Sequence, residues 1–349
     1  MTLNPLVSIV LPFRDASSTL TACVRSILDQ DYPHFEVLCI DDASGDNGTD
    51  LIRSLASEAG RQEQLRIISS TGYGLVDALN QGLDLCRGDV FLRMDADDIM
   101  LPSRVSRQIS HLREVDVSFC RVAPFGHAGD GRQEYFQWQN SLVSHDQLKS
   151  NRFVECPFQH PTLAMSVERM RRLGGYRSGE FPEDYDLFLR MLEAGLVMEK
   201  LPDPLLQYRC SEDQLSYSDE RYSKAAFHDL RKFYIQREEL QQRWENRPLV
   251  VWGASRSSRR RFEEHFPGCM PDYYVDIKPS LIERGGQSRS RKQSGSASHR
   301  PVRPPDSLFQ DEGKPFVLVY VNARGARPLI QSALAEHGFR PEQDYLCIG

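Results

Sequence analysis

The chain has 349 residues, more than one typical hydrophobic core supports, and this length predicts two domains. Hydrophobic residues make up 40% and charged residues 26%, a composition that excludes an intrinsically disordered chain. The net charge of -6 argues against a generally basic nucleic-acid-binding protein, so no nucleic-acid partner is expected.

The composition also predicts a cytoplasmic location. No apolar run reaches the ~20 residues needed to span a bilayer, and Leu6–Pro12 is not preceded by the basic region of a signal peptide. The 8 cysteines form no CxxC pair, which indicates reduced thiols and not a zinc or redox motif. Peripheral contact with a membrane is the alternative, through the charged and aromatic segment between Tyr222 and Trp244.

Strand and helix patterns alternate over the first hundred residues. The short apolar runs that predict strands are Val7–Leu11, Val37–Ile40, Leu65–Ile68 and Val90–Leu92. Between these runs, apolar residues recur at helical spacing, and Ser17 or Ser18 is the expected N-cap of the first helix. The βαβ alternation predicts a parallel sheet with helices on both faces, whose ligands bind beyond the carboxyl ends of the strands.

The rest of the chain predicts a linking helix and a smaller α/β domain. We expect the first domain over residues 1–220, the linking helix over 221–247 and the second domain over 248–349. Residues 284–305 are basic and rich in Ser, Gly and Pro, which predicts a disordered loop. Gly253 begins like a dinucleotide-binding turn, but the second and third glycines are lacking, so a structural or partner-docking role is preferred.

Three acids follow the fourth predicted strand. Asp95, Asp97 and Asp98 are interrupted by one alanine, and carboxylates this close repel one another unless a cation neutralises them. Mn²⁺ and Mg²⁺ prefer carboxylates together with phosphate oxygens, so the segment suggests a metal and diphosphate site. The structural alternative is a solvated turn in which Asp98 caps the next helix.

Two further acidic pairs stand at the ends of predicted elements. Asp41 and Asp42 end the second strand, where a carboxylate can accept the imino N–H of a uracil or form a turn. Glu183 and Asp184 fall in the first turn of a predicted helix, where the helix dipole favours acids. A carboxylate in that place can also act as the general base for an acceptor hydroxyl.

Taken together, these segments resemble the family 2 glycosyltransferases with the GT-A fold. The similarity rests on an ordered set of short motifs: Val7–Pro12, Asp41–Ser44, Ala78–Gly82, Arg93–Ile99 with Pro102, Arg104 and Gln108, His160–Thr162, Gly174–Tyr176, Glu183–Leu187 and Tyr208–Arg209. The C-terminal part is more loosely similar to the extension of the β-1,3-N-acetylglucosaminyltransferase-like 1 group, through Trp252–Ala254, Asp276 and Pro315–Val317. The implied fold is a GT-A α/β domain with a Rossmann-like parallel core, plus a smaller C-terminal Rossmann-like α/β domain.

The resemblance implies a donor site at the strand ends. The donor-binding residues that it implies are Pro12, Arg14, Asp15, Asp42, Arg93, Asp95 and Asp97. Among these, Asp42 would read the uracil, Asp95 would lie by the ribose, and Asp97 would bind the metal, Mn²⁺ or Mg²⁺.

The resemblance also implies where the acceptor reacts. Asp184 would be the catalytic base, with Glu183 beside it. His160 would line the acceptor pocket, and Arg209 would lie near the diphosphate or the acceptor.

Three positions depart from the family pattern. Arg14 and Asp15 stand where the family usually has an aromatic residue followed by Asn, and the guanidinium plane of Arg14 can stack on a base instead. Ser211 stands two residues after Arg209, where the family often has His. This change weakens the expectation of an imidazole contact to metal or phosphate.

The implied activity is an inverting, metal-dependent transfer of a hexosyl or N-acetylhexosaminyl group. We expect a UDP-sugar donor and a hydroxyl of a glycan or lipid-linked acceptor, with a loop at Phe125–Gln139 setting acceptor choice. A nucleotidyltransferase is one alternative, disfavoured because Pro12–Asp15 is not a Gly-rich phosphate loop. A non-catalytic nucleotide-sugar-binding scaffold is the other, disfavoured by the intact Asp97 and Glu183–Asp184.

Overall fold

The computed structural model describes residues 4–127, 129–211, 219–287, 300–310 and 313–349. The chain divides into two units, of which the first comprises Met1–Lys149 and Cys156–Ala226. The second comprises Ser150–Glu155 and Phe227–Gly349. Among the described residues, no helix combines the length and the apolar character that crossing a bilayer requires.

An eight-stranded sheet forms the centre of the first unit. Its strands are β1 Val7–Phe13, β2 Phe35–Asp41, β3 Leu65–Ser69, β4 Val90–Arg93, β5 Ile99–Met100, β6 Val117–Gly126, β7 Ala164–Ser166 and β8 Met198–Cys210. Their order across the sheet is β3-β2-β1-β4-β7-β6-β8-β5. β1 pairs in parallel with β2 and β4, and β2 pairs in parallel with β3, which is the expected parallel core. β7 is antiparallel to both of its neighbours, β4 and β6.

Helices connect these strands and cover the sheet. The helices of the first unit and of the boundary segments are α1 Ser17–Leu28, α2 Gly48–Glu58, α3 Leu75–Leu85, α4 Arg104–His111, α5 Asp130–Ser141, α6 His145–Ser150, α7 Val167–Arg172, α8 Glu183–Glu193 and α9 Lys224–Arg237. Leu20, Val24 and Ile27 of α1 recur at helical spacing and are buried with the apolar residues of β1 and β2.

The start of α1 corrects one sequence-based expectation. The N-cap of α1 is Ala16, which makes no side-chain capping bond, so neither Ser17 nor Ser18 is the cap. Instead, the carboxylate of Asp46 accepts the backbone N–H of Ser17 at 2.8 Å. An acid from a distant loop therefore accepts a backbone N–H that has no partner within the helix.

The segment assigned to an acceptor-selecting loop, Phe125–Gln139, is also different in the structure. β6 ends at Gly126, and α5 occupies most of the remainder. The helix is anchored because the buried side chain of Gln139 donates to the carbonyls of Cys156 and Phe158, both at 2.9 Å.

The second unit contains a five-stranded sheet in which all paired strands are parallel. Its strands are β9 Leu249–Trp252, β10 Tyr273–Val275, β11 Val302–Arg303, β12 Phe316–Val319 and β13 Tyr345–Cys347, in the order β11-β10-β9-β12-β13. Its helices are α10 Arg256–His265, α11 Pro279–Gln287 and α12 Ala326–Glu336. This strand order is that of a doubly wound sheet, so the predicted C-terminal Rossmann-like domain is confirmed.

A short segment from the middle of the chain belongs to the second unit. Within Ser150–Glu155, the buried guanidinium of Arg152 binds Glu238 and Glu342, each with a shortest distance of 2.6 Å. The backbone N–H of Gly349 also donates to the carbonyl of Phe153 at 2.8 Å. Because of these bonds, the second unit contains residues from two separate parts of the sequence.

The predicted disordered loop over residues 284–305 needs a correction at both ends. α11 continues to Gln287, and Val302–Arg303 forms β11 beside β10. Burial of the Val302 side chain offsets part of the conformational entropy that is lost when this end of the segment is ordered. Residues 288–299 of that prediction lie outside the described residues.

Gly82 lets α3 approach β1 closely. A Cβ atom at this position would lie 2.4 Å from Cγ1 of Val10. Val10 is fully buried and β-branched, so it has little room to move away.

We expect Gly82→Ala to lower the free energy of unfolding by about 1–3 kcal/mol, the usual cost of overpacking a core. This cost opposes the gain in helix propensity, which by itself favours alanine by about 1 kcal/mol. Gly131→Ala in α5 is the matched control, because an added Cβ there meets no atom of the described residues within 4 Å. Urea denaturation measures both variants, and equal free energies would contradict the packing argument.

Candidate active site

The parallel core brings three polar segments to one edge of the first sheet. Phe13 of β1 pairs with Asp41 of β2, and Val10 of β1 pairs with Arg93 of β4. The strands therefore end side by side, and the acids after β2 and β4 lie at the same carboxyl edge, where ligands of such sheets bind.

The turn after β4 gathers three carboxylates, which we call the acid cluster: Asp95, Asp97 and Asp98. Oxygen atoms from all three lie within 4.8 Å of one another. Asp95 pairs with the guanidinium of Arg93, which is fully buried in β4. The cluster offers the oxygen ligands that a divalent cation prefers.

Asp98 is the member of the cluster to which the family resemblance assigned no role. Its side chain is 0% exposed, so it is not the solvated helix cap considered from the sequence. Oδ1 accepts the backbone N–H of Arg209 at 2.8 Å, whereas Oδ2 has no hydrogen-bond partner among the described residues. Burial raises the pKa of Asp98 well above its ordinary value, and the charges of Asp95 and Asp97 raise it further.

Arg209 joins β8 to the acid cluster. Besides the bond to Asp98, its Nε donates to the backbone carbonyl of Asp97 at 2.8 Å. Its guanidinium also lies over the ring of Phe125, 4.6 Å from the centroid. The arginine of the Tyr208–Arg209 motif is thus held beside the cluster.

A second group lies at the end of β2. Asp42, which is buried, accepts the backbone N–H of Gly74 with both carboxylate oxygens at 3.0 Å. Nη1 of Arg14 lies 3.9 Å from Asp42 Oδ2, and the Arg14 guanidinium lies 4.8 Å from the ring centroid of Tyr73. Tyr73, which sequence reasoning missed, therefore adds an exposed aromatic surface next to Arg14.

Asp15 and Pro12 make contacts within the protein that hold the turn after β1 and the strand itself. Asp15 has a φ of 48°, and its Oδ1 accepts the backbone N–H of Gly45 at 2.7 Å, which ties the turn after β1 to the turn after β2. Ala43 in the second turn has a φ of 59°, so both turns hold non-glycine residues in the left-handed region. Pro12 is buried in β1 opposite Ile40, and its predicted donor contact stays a prediction.

The first turn of α8 carries the predicted base. Oδ1 of Asp184 accepts the backbone N–H of Tyr185 at 2.7 Å, and the side chain is only partly buried. Desolvation by the surrounding protein raises the pKa of Asp184 to about 7, and the charge of Glu183 contributes to this shift. Glu183 is buried, and both of its oxygens lie within hydrogen-bond distance of the Tyr222 hydroxyl, at 2.8 and 2.7 Å. Tyr222 carried no motif signal in the sequence.

His160 is held by a chain of polar contacts. Its Nε2 lies 2.8 Å from the hydroxyl of Tyr176, and its Nδ1 lies 3.7 Å from Glu183 Oε1. Asn80 in turn fixes Tyr176, because the Asn80 side chain bonds both the N–H and the carbonyl of Tyr176 at 2.9 Å. Burial, aided by the charge of Arg93, lowers the pKa of His160 well below its ordinary value, so the imidazole is neutral at pH 7.

The acid cluster and the α8 acids influence one another electrostatically. The charge of Asp95 acts on Asp184 and raises its pKa, and the charge of Arg93 acts on His160 and lowers its pKa. Sequence motifs that lie far apart along the chain are thus within electrostatic reach of one another.

The sequence of the first unit is similar to that of a known protein family. Residues 8–172 match the family model of Glycosyl transferase family 2. The chain contains a family 2 glycosyltransferase domain. The matched range runs from β1 to the end of α7, so it includes Asp42, the acid cluster and His160, and it ends before α8.

Relatives of this glycosyltransferase include two enzymes of bacterial polysaccharide biosynthesis. The amylovoran biosynthesis glycosyltransferase AmsE of Erwinia amylovora is 28% identical over 214 residues, which are 60% of this chain and 77% of that protein. The O-antigen biosynthesis glycosyltransferase WbnJ of Escherichia coli is 27% identical over 240 residues, which are 66% of this chain and 90% of that protein.

A solved structure confirms the predicted GT-A fold. S. aureus TarS 1-349 in complex with UDP-GlcNAc superposes with a TM-score of 0.53 at 15% identity, covering 66% of this chain and 65% of that chain. This glycosyltransferase therefore has the GT-A architecture. The assignment replaces the nucleotidyltransferase and scaffold alternatives. The narrower similarity to the β-1,3-N-acetylglucosaminyltransferase-like 1 group stays a prediction.

The raised pKa of Asp184 makes stability depend on pH. The folded-state pKa of about 7 lies above the ordinary value of 3.8, so the folded state holds this proton more tightly than the unfolded state. The resulting stabilisation is fully present below about pH 4 and is lost as the pH rises through 7. The side chain of Asp184→Asn does not titrate, so this variant does not lose stability in this way. The melting temperature of the variant minus that of wild type should therefore be several degrees larger at pH 8 than at pH 5, at about 2–4 °C per kcal/mol.

The control for this prediction is Asp50→Asn, the same change at a carboxylate in α2 whose side chain is 81% exposed. Thermal unfolding followed by circular dichroism at the two pH values measures all three proteins. If the melting temperatures of Asp184→Asn and Asp50→Asn, each compared with wild type, change equally between the two pH values, the predicted effect of the Asp184 pKa is contradicted.

Proposed function

We propose that this glycosyltransferase is an inverting, metal-dependent enzyme that uses a UDP-sugar. The transferred group is a hexosyl or N-acetylhexosaminyl group, and the acceptor is a hydroxyl of a glycan or a lipid-linked saccharide. The observation that carries the proposal is the carboxyl of Asp184, whose pKa of about 7 suits proton acceptance at neutral pH.

The surroundings of the two α8 acids favour Asp184 over Glu183 as the base. The Tyr222 hydroxyl donates to the Glu183 carboxylate, which is 1% exposed. Asp184 remains partly open to solvent, so an acceptor hydroxyl can reach it. Glu183 then positions Tyr222 and His160 and raises the proton affinity of its neighbour.

The reaction that follows is a single displacement. Asp184 takes the proton of the acceptor hydroxyl, the hydroxyl oxygen bonds to the anomeric carbon, and the bond from that carbon to UDP breaks. Attack from the face opposite the leaving group inverts the anomeric centre, so an α-linked donor gives a β-glycoside. The neutral imidazole of His160 lines the acceptor side without adding a charge.

The acid cluster fits a divalent cation. Its three carboxylates are close together, and Asp98 Oδ2 is buried with no hydrogen-bond partner among the described residues. We assign Mn²⁺ or Mg²⁺ to this cluster, with Asp97 as a ligand. When bound, such a cation supplies Lewis-acid stabilisation of the charge on the leaving diphosphate. Arg209 donates its backbone N–H to the Asp98 carboxylate and its Nε to the Asp97 carbonyl, and its guanidinium adds positive charge from the protein itself.

The base of the donor is assigned to the group at the end of β2. The Asp42 carboxylate has further lone pairs to accept the imino N–H of uracil, and Arg14 with Tyr73 offers planar surfaces for stacking. TarS, which shares the fold, has been solved with UDP-GlcNAc, and this supports a UDP-sugar. Asp15 and Pro12 shape this end of the site through the turn after β1.

The acceptor class rests on the relatives. AmsE is named for amylovoran biosynthesis and WbnJ for O-antigen biosynthesis, so a growing saccharide is the acceptor that we propose. We place the reaction in the cytoplasm, with peripheral contact at a membrane when the acceptor is lipid-linked.

The metal assignment predicts the behaviour of Asp97→Asn. This variant should lose the Mn²⁺-dependent part of UDP binding, by about 10–100-fold or more, because loss of a partner in a metal site has effects of at least that size. Isothermal titration with Mn²⁺ and with EDTA measures it, and Asp50→Asn controls for the loss of an acid. Equal UDP affinity of Asp97→Asn and wild type under both conditions would overturn the assignment.

The base assignment predicts the behaviour of Asp184→Asn. The wild-type rate of transfer should rise with pH around a midpoint near 7, because the base must be deprotonated to act. Asp184→Asn should keep Mn²⁺-dependent UDP binding and lose about 10²–10⁴-fold in transfer, together with this pH dependence. UDP release in the presence of an acceptor saccharide measures the rate.

Glu183→Gln is the matched comparison, because it removes the other α8 acid and should cost less in transfer than Asp184→Asn. Near-normal transfer by Asp184→Asn, with transfer lost in Glu183→Gln, would move the base to Glu183.

A further inference from the structure

The second unit contains a cavity of about 730 Å³ at the carboxyl edge of its sheet. Gly253, Asp276 and Asn322, which follow β9, β10 and β12, contribute to its lining. β9 stands between β10 and β12 in the sheet, so the chain winds away from it in both directions. That switch point is where doubly wound sheets bind ligands, and the volume is in the range of small-molecule sites.

One end of the cavity suits an anion. Ser255, the N-cap of α10, and Ala326, the first residue of α12, both line it, and neither helix has an acid in its first turn. Arg261 also lines the cavity, and it shares the carbonyl of Tyr320 with Ser258 in the first turn of α10. Its Nη2 donates to the carbonyl of Tyr320 at 2.8 Å, while Nη1 is buried with no hydrogen-bond partner among the described residues. A phosphate would supply the acceptor that this guanidinium N–H lacks.

Asp276 gives the cavity an acceptor for hydroxyl groups. Its Oδ2 accepts the backbone N–H of Ala254 at 2.9 Å, and its Oδ1 accepts the backbone N–H of Lys278 at 3.0 Å. The two bonds fix the carboxylate, and each oxygen retains a lone pair for a further donor. An acid directly after the second strand of such a sheet is placed to accept the hydroxyls of a ribose.

The other walls of the cavity are apolar. Ile277 and Leu329 line it and are 73% and 72% exposed, which is unusual for large aliphatic side chains. Phe309 also lines it, and its ring is stacked on His337 with centroids 3.6 Å apart. These surfaces match the flat, apolar faces of a nucleobase.

The turn after β9 limits the number of phosphates. Gly253, with a φ of 122°, keeps the tight turn of dinucleotide-binding sheets, but Ser255 and Ser258 replace the next two glycines. The hydroxyl of Ser258 donates to the carbonyl of Tyr320 at 3.0 Å, so this side chain occupies the helix–strand contact. The side chain of Ser255 occupies the place where a pyrophosphate bridge would approach the backbone.

We propose that the second unit binds a single nucleotide, with its ribose at Asp276, its phosphate at Arg261 and the start of α10, and its base against Ile277 and Phe309. This site is separate from the donor site and does not rest on the proposed transfer reaction. It gives the C-terminal domain a ligand-binding role in place of the structural or docking role preferred from the sequence.

The test uses the full chain in EDTA with AMP, GMP, CMP and UMP as probes, and with NAD⁺ as the dinucleotide comparison. Ser257→Glu adds an acid to the exposed first turn of α10, which lines the cavity. The helix dipole favours an acid there, so the fold is retained while a phosphate is repelled. Ala335→Glu adds the same charge at an exposed position of α12 outside the lining.

We expect at least one mononucleotide to bind wild type at one equivalent by isothermal titration. Its affinity should fall about tenfold or more in Ser257→Glu and stay unchanged in Ala335→Glu, and the 2′-deoxy form should bind about tenfold more weakly. Lack of binding by all four probes, equal affinity in Ser257→Glu and wild type, or tighter binding of NAD⁺ would each overturn the proposal. UDP titration with Mn²⁺ on Ser257→Glu reports the donor site separately.

Discussion

The buried guanidinium of Arg104 is the interaction on which the first unit depends. Its Nη2 donates to the carbonyl of Arg93 at 2.9 Å and to the carbonyl of Pro161, and its Nε donates to Gln108 at 2.9 Å. One side chain of α4 therefore joins the end of β4 to the turn that carries His160. Arginine suits this place because its guanidinium presents several donors in a fixed plane and stays charged when it is buried.

Gln108 extends the same network. Its amide donates to the carbonyls of Ser118 at 3.0 Å and Thr162 at 2.8 Å, so β6 is tied to the His160 turn as well. A buried backbone carbonyl without a partner costs more than an average hydrogen bond contributes, and these two side chains give a donor to each of the four carbonyls. The Arg104 and Gln108 positions of the family motif thus hold backbone segments of the site together.

Charge balance connects this network to the chemistry. The acid cluster holds three carboxylates close together, and the positive charges of Arg93 and Arg104 lie near it. These cations lower the cost of the cluster without filling it, because Asp98 Oδ2 still has no hydrogen-bond partner among the described residues. This charge balance supports the divalent cation that we propose for the cluster.

Sequence by itself determined the alternation of strands and helices over the first hundred residues and the placement of acids at the strand ends. Those features follow from local periodicity and from the spacing of short motifs, which the chain carries residue by residue. Tertiary structure alone decided the burial of Asp98, the hydrogen bond from Tyr222 to Glu183 and the Asp46 bond at the start of α1. It also decided that Ser150–Glu155 belongs to the second unit. Each of these depends on contacts between residues far apart in the chain, and no local pattern encodes which distant partner the fold will bring beside a given side chain.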